Sequence, residues 1–299
     1  MLPALPDAVV IRDVGPRDGL QPEAPVAVED RVRLVEALVA AGVTRIEAVA
    51  FVSPKAVPAM AGAAEVLAAV PRSMQVRYSA LVPNVRGAEL ALECEVDELT
   101  VTASLSETYS QRNVHMSIDE SADAIARICA AAGEVPVDAV LSCSFGSPYE
   151  GDVPPADVAG LAQRLRDSGC AAITCADTTG MATPRRVAEV IGAVGADVGV
   201  HLHETRGTAL VSAYAALQLG VTRFDTSVGG LGGSPFAAGA AGNLATEELV
   251  ALLDDLGVAT GIDVDGLIEA AHLAGELVGR AVPSRVAAAG PRTRVSEER

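Results

Sequence analysis

Eight short β-rich runs, each followed by a helical stretch, repeat along this 299-residue chain at intervals of about 25–40 residues. The runs are 8–13 (AVVIRD), 44–50 (TRIEAVA), 75–81 (QVRYSAL) and 97–103 (DELTVTA), then 137–143 (VDAVLSC), 171–176 (AAITCA), 197–203 (DVGVHLH) and 222–228 (TRFDTSV). Helical patterns occupy 29–41, 118–132, 155–168, 184–194, 207–219 and 245–256. In the first of these, Val32, Val35, Leu38 and Val39 form one apolar stripe. Gly42, Gly133, Gly169 and Gly220 each stand just before a strand, where a helix ends in the left-handed conformation that glycine adopts most readily. Strict β-then-α order over eight units predicts a closed parallel (β/α)8 TIM barrel rather than an open sheet. An additional C-terminal helix is expected over 263–280, making 1–283 one domain and 284–299 a loose polar tail.

Composition limits what such a barrel can bind. Half of the residues are hydrophobic, enough for a large core, while a formal charge of −17 repels nucleic acid and anionic membranes. An anionic ligand must therefore meet a local arginine cluster. Lys55 is the single lysine, so Schiff-base chemistry would rest on that residue alone. Five cysteines without a CxxC pair suggest reduced thiols rather than a disulfide framework or zinc ribbon. The N-terminal sequence reads as neither a secretory signal nor a membrane span, and a cytoplasmic protein is expected.

Barrel enzymes place their sites at the C-terminal ends of the strands. Here those ends carry Asp13, Arg17, Asp18, Glu47, Asn84, Ser104, Ser144, Asp177, His201 and His203. In VHLHET (200–205) the two histidines are two apart, so both imidazoles leave one face of a strand. A single strand histidine is more often a satisfied core residue than a ligand, but a same-face pair favours a metal such as Mn, Mg, Co or Zn. VGPRDGLQ (14–21) follows the first strand and can be read as a tight turn. It also puts Asp18, a cation ligand, beside Arg17, a donor fork for a carbonyl or carboxylate. The segment 229–243 has six glycines in fifteen residues, suiting either a flexible linker or a loop that closes over a ligand. Its end is placed to bring Asn243 inward.

These stretches, with IEAVAFVSPKAVPAM (46–60), SETYSQRNVHMS (106–117), GSPYEG (146–151), DTTGMATP (177–184) and GNLATEELV (242–250), resemble the hydroxymethylglutaryl-CoA lyases of the DRE-TIM metallolyase superfamily over nearly the whole chain. The resemblance implies that Asp18, His201, His203 and Asn243 hold a divalent cation, Mg2+ or Mn2+. It assigns catalysis to Arg17, Asp18, Glu47, Asp177, His201 and Ser234, and substrate contacts to Arg17, Asp13, Gln21, Asn113 and Gly233. It implies metal-dependent cleavage of 3-hydroxy-3-methylglutaryl-CoA, or a close 3-hydroxyacyl thioester, to acetyl-CoA and acetoacetate. A homodimer fits the family, with 263–280 as one candidate surface, although that helix's apolar stripe could equally cap the barrel.

Four positions depart from the family pattern. Ser234 replaces the cysteine of the glycine loop, Asp13 replaces a glutamate, Ala24 replaces a lysine expected to contact CoA phosphates, and Glu204 replaces an aspartate. A metal-dependent aldolase or Claisen-type synthase acting on a 2-oxo acid would use the same metal ligands, and a non-catalytic binding protein would need none of them. His115 and His272 receive no role.

Overall fold

The computed structural model of the protein describes residues 5–233 and 241–294. Strand β1 (Val10–Asp13) leads through a one-turn helix at Gly15–Gly19 to α1 (Val28–Ala40), β2 (Arg45–Ala50) and α2 (Ala63–Ala69). Next come β3 (Arg77–Leu81), α3 (Val85–Glu93), β4 (Glu98–Ser104), α4 (Glu107–Val114) and α5 (Ile118–Ala132). The order continues with β5 (Val137–Ser142), α6 (Pro155–Asp167), β6 (Ala172–Ala176), α7 (Pro184–Val194), β7 (Gly199–His201), α8 (Ala209–Gln218) and β8 (Arg223–Thr226). Three helices, α9 (Thr246–Leu256), α10 (Val264–Val278) and α11 (Arg285–Ala289), follow. Every strand pairs in parallel with the next, and β8 pairs with β1 to close the TIM barrel.

All eight expected strands are present, seven of them shorter than expected and β4 shifted one residue onward to end at Ser104. Helices α2, α3 and α4 fell outside the periodic reading because seven to nine residues hold barely two turns of apolar repeat. Two of them are defined by caps. Asn84 Oδ1 accepts from Gly87 N at 2.9 Å to start α3, and Ser106 Oγ accepts from Tyr109 N at 3.0 Å to start α4. Asn84 is thus a helix cap, although its strand-end position marked it as a site candidate.

The apolar stripe of α10 (Val264, Leu267, Ile268, Ala271 and Ala274) is buried within the chain, where the helix lies against α1, α9 and α11. The stretch from 284, expected to be a loose tail, instead begins with an ordered helix. Ser284 Oγ accepts from Ala287 N at 3.1 Å, Ala287 is buried, and His272 Nε2 lies 3.1 Å from the Ala287 carbonyl. Alanines and one turn of helix leave little periodic signal, so composition alone misread this segment. Among the described residues, no helix is long and apolar enough to cross a membrane.

Helix endings show what glycine contributes. Gly42 has φ +94° and Gly220 has φ +91°. A Cβ at Gly42 would stand 2.6 Å from the Gly261 carbonyl oxygen, whereas one at Gly220 would meet only Ala196 Cβ at 3.7 Å. Urea unfolding should therefore show Gly220→Ala losing about 1–2 kcal/mol, the cost of a left-handed L-residue. Gly42→Ala should lose more, because the backbone must also move; equal losses would contradict this packing.

Candidate active site and metal cluster

The turn after β1 is wider than the tight turn that Gly-Pro and Asp-Gly suggest. Gly19 N and Leu20 N donate to the Val14 and Gly15 carbonyls, five residues back, at 3.2 and 3.0 Å. In this π-type turn, which takes more residues per turn than an α-helix, both Arg17 and Asp18 line the cavity at the barrel mouth. Asp13 does not line it. Both its oxygens are used beneath the turn: Oδ1 accepts from Gly15 N at 2.8 Å and Oδ2 from Thr246 Oγ1 at 2.6 Å. Burial raises its pKa to about 7 despite those bonds. Expected at the substrate, Asp13 instead fixes the turn that presents Arg17 and Asp18, because its short side chain is consumed locally.

Asp18 meets the two histidines. One ligand atom from each of Asp18, His201 and His203 can be chosen such that all lie within 4.8 Å of one another. His201 ends β7, whereas His203 lies past the strand in an antiparallel bridge with Asn243. Their Nε2 atoms are 3.1 Å apart. Both nitrogens cannot direct a proton at each other, so this contact needs a shared proton or a shared cation. Two metal–nitrogen bonds of about 2.1 Å at a right angle span about 3.0 Å, so the pair fits adjacent positions on one ion. Asn243 Nδ2 donates to Asp18 Oδ2 at 2.8 Å and to the Leu231 carbonyl at 3.0 Å. Its Oδ1 is buried without a partner, which leaves a carbonyl oxygen free to bind a hard cation. Gly232 (φ +112°) lets its own backbone approach Asn243, since a Cβ there would stand 2.5 Å from Asn243 Nδ2.

The electrostatics suit a cation. Burial alone would raise Asp18, but Arg17, His201, His203 and the Asn243 amide together lower it to about 2. Burial and the neighbouring His201 lower His203 to about 4, keeping it neutral and able to ligate near pH 7. His201 runs the other way: burial lowers it, but Asp225 and Asp18 outweigh that and its pKa rises.

The remaining candidates surround this cluster. Arg17 Nη1 donates to Asp18 Oδ1 at 2.7 Å, and its Nε donates to Glu47 Oε1. Glu47 is fully buried and its Oε2 has no partner. Asp177 Oδ1 accepts from Met181 N at 2.6 Å and Ala182 N at 3.0 Å, while its buried Oδ2 is unpartnered. Burial raises Asp177 to about 6 against those bonds. Gln21, Asn113 and Gly233 line the same cavity of about 280 Å³, as do the apolar Leu81, Val82, Val140 and Ile125, whereas the buried Glu47 and Asp177 do not line it. Ser234 lies outside the described residues.

Two groups of polar residues escaped the sequence reading. Glu150, in GSPYEG, accepts from Ser106 Oγ at 2.5 Å, Ser147 Oγ at 2.6 Å and Thr108 N at 3.0 Å, tying the loop after β5 to the helix that carries Asn113. Arg12 and Asp225 form a buried ion pair beneath His201. The available signal was a charged residue inside each of two strands, where a purely structural core needs none.

The HMGL-like family model matches residues 8–274. This chain belongs to that family, the family of the hydroxymethylglutaryl-CoA lyases. It is 44% identical over 293 residues to a Pseudomonas aeruginosa enzyme named 3-hydroxy-3-isohexenylglutaryl-CoA/hydroxymethylglutaryl-CoA lyase, covering 95% of this chain and 98% of that one. Identity to the human mitochondrial hydroxymethylglutaryl-CoA lyase is 40% over 293 residues, covering 95% of this chain and 90% of the human one. Among solved structures, the P. aeruginosa hydroxymethylglutaryl-CoA lyase superposes with a TM-score of 0.92 at 43% identity, covering 95% and 98% of the two chains. An Acinetobacter baumannii HMG-CoA lyase in complex with coenzyme A and 3-methylmalate gives 0.92 at 37% identity, with 98% of each chain covered. The carboxyl transferase domain of Rhizobium etli pyruvate carboxylase shares the fold alone, with 17% identity, a TM-score of 0.68, and 93% of this chain and 49% of that one covered.

Calorimetric titration of this family member with Mn2+ should show one ion per chain. Affinity should fall from about pH 8 to about pH 6 as protons compete for His201, whose pKa is raised, while His203 stays neutral over that range. His203→Ala should weaken binding by more than about 100-fold, beyond the range of outer-shell losses. Unchanged affinity in that variant would contradict the cluster.

Proposed function

We propose that this chain is a divalent-metal-dependent carbon–carbon lyase that cleaves 3-hydroxy-3-methylglutaryl-CoA, or a close 3-hydroxyacyl-CoA, to acetyl-CoA and the matching 3-oxo acid, which is acetoacetate for the methyl substrate. The observation that carries this reading is the cluster of Asp18, His201 and His203 at the barrel mouth of a chain related to such lyases along nearly its whole length. Asp18, His201, His203 and Asn243 would hold Mg2+ or Mn2+, which when bound acidifies a ligated hydroxyl and fixes its orientation.

The protein supplies the rest. Arg17, held from two sides by Glu47 and Asp18, offers its remaining N–H groups to the oxygen that becomes a carbonyl. The C3 hydroxyl loses its proton and the C2–C3 bond breaks, its electron pair moving onto the thioester as an enolate. Asp177, between the lining residues Ala176 and Thr178 and with one unpartnered oxygen and a pKa raised to about 6, would take up that proton close to neutral pH. The enolate carbon then needs an acid. By family position this falls to Ser234, whose hydroxyl is a weaker acid than a thiol titrating at about 8.5. The apolar wall formed by Leu81, Val82, Val140 and Ile125 would receive the non-ionic part of the substrate and exclude water.

Purified protein supplied with Mn2+ should release acetyl-CoA and acetoacetate from 3-hydroxy-3-methylglutaryl-CoA, and exhaustive chelation should abolish the release. Arg17→Lys should lower kcat by about 10²–10³-fold, the usual cost of one lost transition-state donor, while Mn2+ still binds. Cleavage that survives chelation would overturn the reading. Ser234→Cys should raise kcat where enolate protonation limits turnover.

A further inference from the structure

Adjacent strands place three residues side by side beneath the cluster. Asp225 of β8 is in register with His201 of β7 on one side and with Arg12 of β1 on the other. Arg12 Nε donates to Asp225 Oδ1 at 2.9 Å and Nη2 to Asp225 Oδ2 at 2.8 Å, a two-point grip on the carboxylate. The same guanidinium reaches Asp138 Oδ2 at 2.7 Å and Glu98 Oε1 at 2.8 Å. Asp225 Oδ2 lies 3.5 Å from His201 Nδ1. Arg12 and Asp225 are both buried. Desolvating one cation and several carboxylates costs more than packing the barrel floor with apolar side chains of similar volume. A purpose beyond filling space is therefore required.

We propose that Asp225, clamped by Arg12, is a positioning residue for the metal centre, holding His201 with Nδ1–H toward the carboxylate and Nε2 toward the ion. A carboxylate behind a ligating imidazole fixes both its tautomer and its ring orientation. The two-point grip of Arg12 keeps Asp225 from rotating, and Thr174 Oγ1, donating to Asp138 Oδ2 at 2.9 Å, anchors the next layer down. Asp225 lines the same cavity as the cluster, and in the proposed arrangement it acts on the ion through His201. The inference rests on the metal reading given above, and its test separates the two.

Mn2+ affinity is measured by calorimetry on the full-length wild type, Asp225→Asn and Glu98→Gln. The asparagine keeps the size of the side chain but loses the charge that selects the tautomer. Glu98→Gln disturbs the same buried ion cluster at its outer edge, away from His201. Asp225→Asn should bind Mn2+ about 10–100-fold more weakly and recover much of its kcat at saturating Mn2+, whereas Glu98→Gln should bind as the wild type does. Wild-type affinity in Asp225→Asn, or an equal loss in both variants, overturns the proposal. Absence of binding by the wild type overturns the metal reading itself. Should Asp225→Asn fail to fold, 15N shifts of the His201 ring in Mg2+-loaded wild type decide: a protonated Nδ1 and a ligated Nε2 are expected, and the reverse assignment refutes it.

Discussion

Two imidazole nitrogens held 3.1 Å apart inside a barrel mouth, with an ionised carboxylate beside them, set the terms for the rest of this structure. Either one ring nitrogen carries a proton directed at the other, or a cation lies between the two. The surrounding groups favour the cation. Asn243 keeps an unpartnered carbonyl oxygen, Asp18 is held ionised, and His203 is kept neutral by burial and its neighbour. Each arrangement is costly as permanent core and becomes favourable once a cation is bound.

The fold meets this requirement through backbone devices as much as through side chains. The wide turn at Gly15–Gly19 directs Arg17 and Asp18 into the same cavity, and Asp13 beneath it is committed to holding that turn. The bridge between His203 and Asn243 sets the asparagine beside the end of β7. Gly232 permits the close approach that any side chain would block. Arg17 is clamped by Glu47 and Asp18, so its free donors point to a fixed place before substrate arrives, which is how preorganised charge lowers a barrier.

Much of this was legible in the sequence, for identifiable reasons. The barrel followed from period and order: eight β-then-α repeats are long, regular signals, and every strand lies where the alternation put it. His201 and His203 were legible because strand geometry converts a two-residue spacing into a shared face. The failures have a common cause in short range. Helices α2 to α4 and α11 hold too few turns for an apolar stripe to register, and their caps are single residues. Asp13 was misplaced because strand-end position predicts exposure to the mouth but not which hydrogen bonds consume a short side chain. Arg12 and Asp225 became meaningful only through the register of strands more than two hundred residues apart in sequence. No local pattern encodes that closure.

Anomalous diffraction from a crystal equilibrated with Mn2+ tests the central claim most directly. The account predicts a single strong peak within bonding distance of Asp18, His201 Nε2, His203 Nε2 and Asn243 Oδ1. A mouth without such a peak, or an ion bound elsewhere with the two imidazoles still in contact, would contradict it.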